Sequence, residues 1–298
     1  MKFKTIGLIG YGEVGKIFSA GLQGKDGVES VHAWDRKFVG DTAAAELAHA
    51  KEAGVTAQMS SKALCEASDL VIAAVTASQS LTVSEEAARY MRPGSVYLDL
   101  NSASPGTKQR SAALIEAAGA RYVESGVMTS VPPYGIRVPL LLGGEQAGEL
   151  ALLLGAWGMD AKAISEKVGV ASAIKMCRSV MIKGMEALVI ESYAAARAYG
   201  VEDYVIPTLE ETFPNMDWEK TGAYFFSRVV QHGQRRAEEM RESANTVREA
   251  GFEPYMTDSI ADKQQWVADQ AKAGLFKDVG KDAAWQEYAD RLLAARKG

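Results

Sequence analysis

Apolar residues in the first half of the chain follow two alternating periods. Runs of strand length occur at Thr5–Ile9, Ser30–Trp34, Leu70–Val75, Ser95–Leu100 and Arg121–Val123. Between them stand alanine-rich segments with helical spacing, at Val14–Gln23, Asp41–Ala53, Ser61–Ala67, Leu81–Met91 and Gly106–Ala118. Such alternation predicts a parallel α/β sheet covered on both faces, because crossover helices bury both sides of each strand. A further strand pair is predicted near Gly126–Val131 and Arg137–Leu142, with Pro132, Pro133 and Gly135 turning the chain between them. Beyond about residue 165 helical spacing takes over. Gly169–Tyr199 reads as one helix of about thirty residues, apolar around most of its circumference and therefore expected to be buried on all sides. Helices follow at Asp203–Thr212, Ala223–Ala250, Asp258–Ala273 and Lys281–Ala295, with Gly200, Pro214, Gly251 and Pro254 at the breaks. The pattern predicts an α/β domain over residues 1–165 and an all-helical domain over 166–298, joined by the long helix.

Composition narrows the class. The chain has 298 residues, 33 Lys+Arg against 38 Asp+Glu (33 − 38 = −5), 47% hydrophobic and 24% charged residues. These values exclude a disordered or collagen-like chain. The mild acidity argues against nucleic acid as a partner, since phosphate binding needs clustered Lys and Arg. No apolar run approaches the ~20 residues of a membrane span, and no signal-peptide pattern follows Met1. Two cysteines, Cys65 and Cys177, cannot make a disulfide framework, so a reducing, cytoplasmic setting is expected. His32, His49 and His232 are far apart, and no ligand spacing points to a metal or a hydrolase triad.

The chemistry begins at Gly10-Tyr11-Gly12-Glu13-Val14-Gly15, a G-x-G-x-x-G directly after an apolar strand and at the start of a helix. Gly10 permits the tight turn, Gly12 lets the backbone approach a pyrophosphate, and Gly15 allows close packing of helix on strand. The helix N-terminus would stabilise the phosphate charge. This context identifies a Rossmann-type dinucleotide site, to which Tyr11, Glu13 and Val14 contribute backbone. Asp35 ends the next strand, twenty residues after Gly15. A carboxylate there accepts hydrogen bonds from a ribose 2′-OH and repels a 2′-phosphate, which favours NAD. Arg36 follows it and leaves NADP open; Lys37 reads as part of a solvated turn.

A second site candidate is Lys175, an ammonium in a helix too apolar to be a surface element. Burial would lower its pKa toward the range useful for acid–base work, although a snorkelling lysine at a domain junction is the alternative. Lys183, eight residues on, lies on roughly the same side, and periodicity does not choose between the two.

Taken together these motifs resemble the β-hydroxyacid dehydrogenase superfamily, which includes 3-hydroxyisobutyrate and 6-phosphogluconate dehydrogenases. The order is the family's across nearly the whole chain: Gly10–Gly15, then Val75-Thr76 as the cofactor-side loop, then Asp99-Leu-Asn101-Ser102-Ala103-Ser104-Pro105, then Gly169 to Lys175. The resemblance implies that Asn101 and Ser102 line the nicotinamide and substrate pocket and that Lys175, rather than Lys183, is catalytic. Two departures stand out. Ser179 occupies the place of the family's substrate-binding asparagine, and Ser125–Pro133 replaces its S-G-G loop, leaving Ser130 as the best polar candidate there. The variant loop and helical tail resemble a subgroup of phosphogluconate-dehydrogenase-like oxidoreductases with poorly defined substrates.

The expected reaction is hydride transfer between NAD(P) and a 3-hydroxy acid or related compound, with nicotinamide in the crevice at the strands' carboxyl ends. Ser102 or Ser104 could instead cap the helix at Pro105, and Ser179 could bond back within its helix. His232, Arg235 and Arg236 form a cationic cluster that would take an acidic substrate group, or else a solvated face paired with Glu238 and Glu239. Cys177 reads as a packing residue, and Trp218, Tyr224, Phe225 and Phe226 as core packing, with an aromatic substrate left open. Related enzymes interlock their helical domains, so a homodimer or higher homo-oligomer is expected. An imine reductase-like enzyme and a non-catalytic dinucleotide-binding protein are the competing readings; the lysine and the complete Asp99–Pro105 segment disfavour them.

Overall fold

A computed structural model describes residues 1–41 and 43–295. It divides into two compact units, Met1–Met176 and Cys177–Gly298, so the division falls inside the long helix rather than at residue 165. The first turns of that helix belong with the sheet because, as shown below, a strand side chain holds them.

In the first unit, β1 (Thr5–Ile9), β4 (Leu70–Ala73) and β5 (Val96–Asp99) are buried strands, and β2 (Ser30–Trp34) is buried at alternate positions. With β3 (Thr56–Ala57), β6 (Arg121–Val127), β7 (Leu140–Gly143) and β8 (Ala161–Ser165) they build one sheet in the order β3-β2-β1-β4-β5-β6-β7-β8. All neighbours are parallel except β6 and β7, which pair antiparallel with Glu124 opposite Gly143 and Val127 opposite Leu140. The strand order reverses between β1 and β4, which is where such sheets open a ligand crevice at the strands' carboxyl ends. Helices α1 (Glu13–Leu22), α2 (Ala43–Glu52), α3 (Ser61–Ala67), α4 (Ser80–Ala88), α5 (Pro105–Ala117) and α6 (Ala147–Ala156) complete the unit. Its core holds Ile6, Leu8, Phe18, Ile72 and Leu98, with Tyr97 and Tyr122 stacked at 5.9 Å.

Several expectations shift. A strand at Gly126–Val131 does not form; β6 instead runs unbroken from Arg121 through Glu124 and Ser125 to Val127. An acid in mid-strand breaks the apolar pattern, but partners distant in sequence satisfy it. The short β3, α6 and the mixed-polarity β8 carry too little periodicity to have been anticipated. The expected start of α2 at Asp41 runs into residue 42, which lies outside the described residues.

The second unit comprises most of α7 (Val170–Tyr199) with α8 (Glu202–Thr212), α9 (Trp218–Glu249), α10 (Tyr255–Lys272) and α11 (Trp285–Ala295). Tyr193, Phe226, Trp285 and Tyr288 form its centre, with Tyr193 edge-on to Trp285 at 4.8 Å. Trp218 and Phe225 are buried in the same core, whereas Tyr224 is exposed. Contrary to expectation, α7 is not buried on all sides. Met181, at 67% exposure, and Leu188 face outward, while Ser179, Lys183 and Glu186 face in. The inward polar groups are matched: Arg236 on α9 donates to Glu186 (2.7 Å), Lys183 pairs with Glu239 (2.9 Å), and Gln264 on α10 donates to Glu186 (3.3 Å). Apolar composition on a long helix thus hid which of its faces is the inner one.

Candidate active site

Strand β1 is followed by Gly10, which adopts φ +98°. A Cβ there would sit 2.4 Å from the Ala74 carbonyl oxygen beyond β4. A Cβ on Gly15 would come within 1.9 Å of the Gly10 carbonyl oxygen. Both glycines are therefore required by the chain's own packing. Gly12, the N-cap of α1, is different: apart from its chain neighbours, no atom of the described residues lies within 4 Å of where its Cβ would be. This space beside the first N–H groups of α1 fits a bound phosphate, whose approach a side chain would block. Glu13 and Val14 open the helix there.

The Tyr11 side chain turns inward from the glycine turn. Its ring is fully buried against Phe38 (5.2 Å), with its hydroxyl 3.0 Å from His49 Nδ1. Its backbone N–H donates to Asp35 Oδ2 (2.7 Å), and Asp35 Oδ1 accepts from Lys37 N–H (2.9 Å). The carboxylate that would read a ribose thus also ties the end of β2 to the glycine turn. Arg36 is exposed beside it.

The tips of β4 and β5 interlock. Val75 N–H donates to Asn101 Oδ1 (2.7 Å), and Asn101 N–H donates to Asp99 Oδ1 (2.9 Å). Asn101 is buried, yet its Nδ2 has no hydrogen-bond partner among the described residues. A buried amide donor left open is costly and calls for an acceptor, and the carboxamide of a nicotinamide offers one. Thr76 is exposed on the adjoining loop, where its hydroxyl lies 3.3 Å from that of Ser78. Below these tips Asp99 is fully buried and held by Lys108 Nζ (2.9 Å) and the Tyr122 hydroxyl (2.7 Å). Burial, and then the charge of Asp99, push the Tyr97 and Tyr122 phenols well above their ordinary range, so both remain neutral.

The choice between Ser102 and Ser104 as helix cap is clear. Ser104 accepts from Thr107 N–H (3.2 Å) ahead of Pro105 and caps α5. Ser102 is left free of that role, and Lys175 Nζ donates to its Oγ at 2.6 Å. Lys175 is half-buried. Its helix comes close to β6 because position 126 is glycine: a Cβ there would lie 2.9 Å from the Ala171 carbonyl oxygen and 3.5 Å from Lys175 Cβ. The first unit therefore brings together Gly10, Val75, Asn101, Ser102 and Lys175 through direct contacts.

The other expected residues are described within their own units. Ser130 stands half-buried on the loop after β6. Ser179, one turn beyond Lys175 on α7, is buried and accepts from Lys183 Nζ (3.3 Å). His232 is half-buried on α9. In the cationic cluster around it, Arg236 pairs with buried Glu186, while exposed Arg235 lies 4.0 Å from Glu239, the carboxylate that also pairs with Lys183. Cys177 is exposed and so is not a packing residue; Cys65 is the buried thiol. Among the described residues no cluster of His, Cys, Asp or Glu could hold a metal. Sequence reasoning passed over Lys108, Tyr122 and Glu124, although an acid inside an apolar strand is a signal that could have found Glu124.

Comparison with known proteins agrees with this architecture. Residues 5–150 match the NAD binding domain of 6-phosphogluconate dehydrogenase, and residues 196–267 match a domain of unknown function, DUF1932. The structure of a conserved hypothetical protein from Sinorhizobium meliloti 1021 is 34% identical, with 99% of this chain and 97% of that chain covered and a TM-score of 0.76. Conserved protein MTH1747, described as structurally similar to 3-hydroxyacid dehydrogenases, is 30% identical over 90% of this chain and 98% of its own, with a TM-score of 0.68. Mycobacterium tuberculosis 3-hydroxyisobutyrate dehydrogenase shares the fold at 17% identity, 98% and 99% coverage and a TM-score of 0.64. The chain belongs to the β-hydroxyacid dehydrogenase superfamily.

Proposed function

We propose that this chain is an NAD(P)-dependent oxidoreductase that interconverts a 3-hydroxy acid, or a related hydroxy compound, with its carbonyl form. The observation that carries the reading is the Lys175 amine 2.6 Å from the Oγ of Ser102, a residue that directly follows Asn101 and its open amide donor. Gly10, Gly12 and Gly15, with the backbone of Glu13 and Val14, would hold the pyrophosphate. Val75, Thr76 and Asn101 would lie toward the nicotinamide. Asp35 favours NAD by accepting from the ribose, while exposed Arg36 is suited to a 2′-phosphate. When bound, the nicotinamide supplies or accepts the hydride.

The chain's own groups move the proton. In oxidation, a neutral Lys175 takes the substrate hydroxyl proton; in reduction, the ammonium donates to the carbonyl oxygen. The Ser102 hydroxyl, accepting from Lys175, fixes the amine for this exchange. Asn101 offers its Nδ2–H to the carboxamide or to a substrate oxygen. Ser179 would hydrogen-bond a substrate oxygen, Ser130 would furnish part of the pocket wall, and His232 would meet an acidic substituent. A homo-oligomer formed through the helical unit would cover the outward Met181 and Leu188 of α7. Two free thiols suit a reducing, cytoplasmic compartment.

The test is turnover of 3-hydroxy acids, sugar acids, aryl-substituted 3-hydroxy compounds and a cyclic imine with both cofactors. Lys175→Met should abolish turnover while dinucleotide affinity stays within a few-fold. Near-normal kcat in that variant removes the lysine from the mechanism. Turnover of the imine alone would favour the imine reductase reading.

A further inference from the structure

The structure contains a buried carboxylate that the proposed chemistry does not use. Glu124 lies in the middle of β6 and is fully buried. Its Oε1 accepts from Gly169 N–H (2.7 Å) and Ala171 N–H (2.9 Å), and its Oε2 from Ser172 N–H (3.3 Å). These peptide groups open α7, the helix that carries Lys175. A helix start leaves four N–H groups without partners and carries partial positive charge. Most helices meet this with a local serine or aspartate; here the cap comes from a strand 45 residues away.

Space for the arrangement is made by glycines. A Cβ on Gly143, opposite Glu124 on β7, would lie 2.6 Å from Glu124 Oε1. Gly126, two residues on and hence on the same face of β6, lets the Ala171 carbonyl and the root of Lys175 settle onto the strand. Gly169 takes φ +109° as the chain enters the helix. Lys175 follows Ala171 and Ser172 by four and three residues, so it stands on the same helix face one turn along. The capped peptide groups and the lysine stem therefore move as one piece.

We propose that Glu124 is a positioning residue: by clamping the first turn of α7 to β6 it sets the Lys175 amine within hydrogen-bond reach of Ser102. This rests on the reading that Lys175 exchanges the substrate proton, but the placement itself can be observed without substrate. In Glu124→Gln one oxygen is replaced by an NH2 facing backbone donors, so the clamp loses at least one bond and gains a repulsion. Glu124→Asp keeps the charge and retracts it by roughly 1.5 Å, one carbon–carbon bond. It should give an intermediate displacement.

The experiment is reductive methylation of the full-length protein with 13C-formaldehyde, followed by NMR of the dimethyl-lysine signals. The Lys175 signal is assigned by its loss in Lys175→Met. In Glu124→Gln that signal should leave its wild-type position and approach the position it takes in Ser102→Ala. With the best substrate of the panel, kcat should fall roughly 10–100-fold, as expected for a misplacement of about 1 Å, while KM for the dinucleotide holds. Glu124→Asp should restore part of both. If Glu124→Gln does not fold, the Glu124→Asp signal decides: displacement supports the clamp, and an unmoved signal overturns it. A folded Glu124→Gln protein with a lowered Tm but an unmoved Lys175 signal also overturns it, leaving Glu124 as a purely stabilising cap. Turnover of Lys175→Met, run alongside, separates the two failures. An active Lys175→Met rejects the proposed reaction, whereas an inactive one with an unmoved signal in Glu124→Gln rejects only the role of Glu124.

Discussion

Gly12→Ala separates a residue kept for a ligand from one kept for packing. The position has φ −80° and extended ψ, which alanine adopts without strain, and apart from the chain neighbours no atom of the described residues lies within 4 Å of the new methyl. Alanine is a poorer N-cap than glycine by some tenths of a kcal/mol, while losing glycine's freedom in the unfolded chain returns about 0.4–1 kcal/mol. The two nearly cancel, so Tm should stay within a degree or two of wild type. A phosphate approaching the backbone at this point would meet the methyl. Losing one charge-assisted hydrogen bond costs about 1.5–3 kcal/mol, or roughly 10–100-fold in Kd. Gly15→Ala is the contrast: its Cβ would overlap the Gly10 carbonyl oxygen at 1.9 Å, so it should lose stability as well as binding. Titration of NADH fluorescence, with thermal unfolding of the same preparations, reads both quantities. If Gly12→Ala binds NADH and NADPH within twofold of wild type, the open space over Gly12 is not the phosphate site.

Three further outcomes follow from the same geometry. Lys108→Met leaves buried Asp99 without its cation and should cost about 3–5 kcal/mol in urea denaturation; a loss under 1 kcal/mol would mean that Tyr122 and the backbone suffice. Asp35→Ala should narrow the gap between NAD and NADP affinity, and Arg36→Ala should weaken NADP selectively; unchanged cofactor ratios would show that neither side chain meets the ribose. Burial pushes the Cys65 thiol up to about 12 while Cys177 is exposed, so Ellman's reagent should titrate one thiol per native chain and two after denaturation. Two fast-reacting thiols in the native protein would contradict the buried placement of Cys65.

Much of the first unit was legible because local signals and tertiary demands agree. The runs at Thr5–Ile9 and Ser30–Trp34 became β1 and β2 with unchanged bounds: β1 is buried and almost wholly apolar, and β2 buries Val31 and Ala33 at alternate positions. The glycine turn was legible because two of its glycines answer to steric contacts and the third to open space. What stayed hidden depends on residues far apart in sequence. Glu124 broke the apolar pattern of β6, and only the approach of residues 169–172 makes a buried acid tolerable there. Lys108 reads as a surface residue of α5 until Asp99 is seen beneath it. On α7 the apolar residues outnumber the polar ones on both faces, so the polar partners on α9 and α10 decide which side turns inward.

The central claim is that the Lys175 amine, held at Ser102, exchanges the proton when hydride passes to or from a bound nicotinamide. It is tested most directly by single-turnover absorbance at 340 nm (the NADH band) for wild type and Lys175→Met, each saturated with dinucleotide and the best hydroxy-acid substrate. The account predicts a wild-type transient that is absent in Lys175→Met, with both proteins binding the dinucleotide alike. A transient of equal rate in Lys175→Met would contradict it.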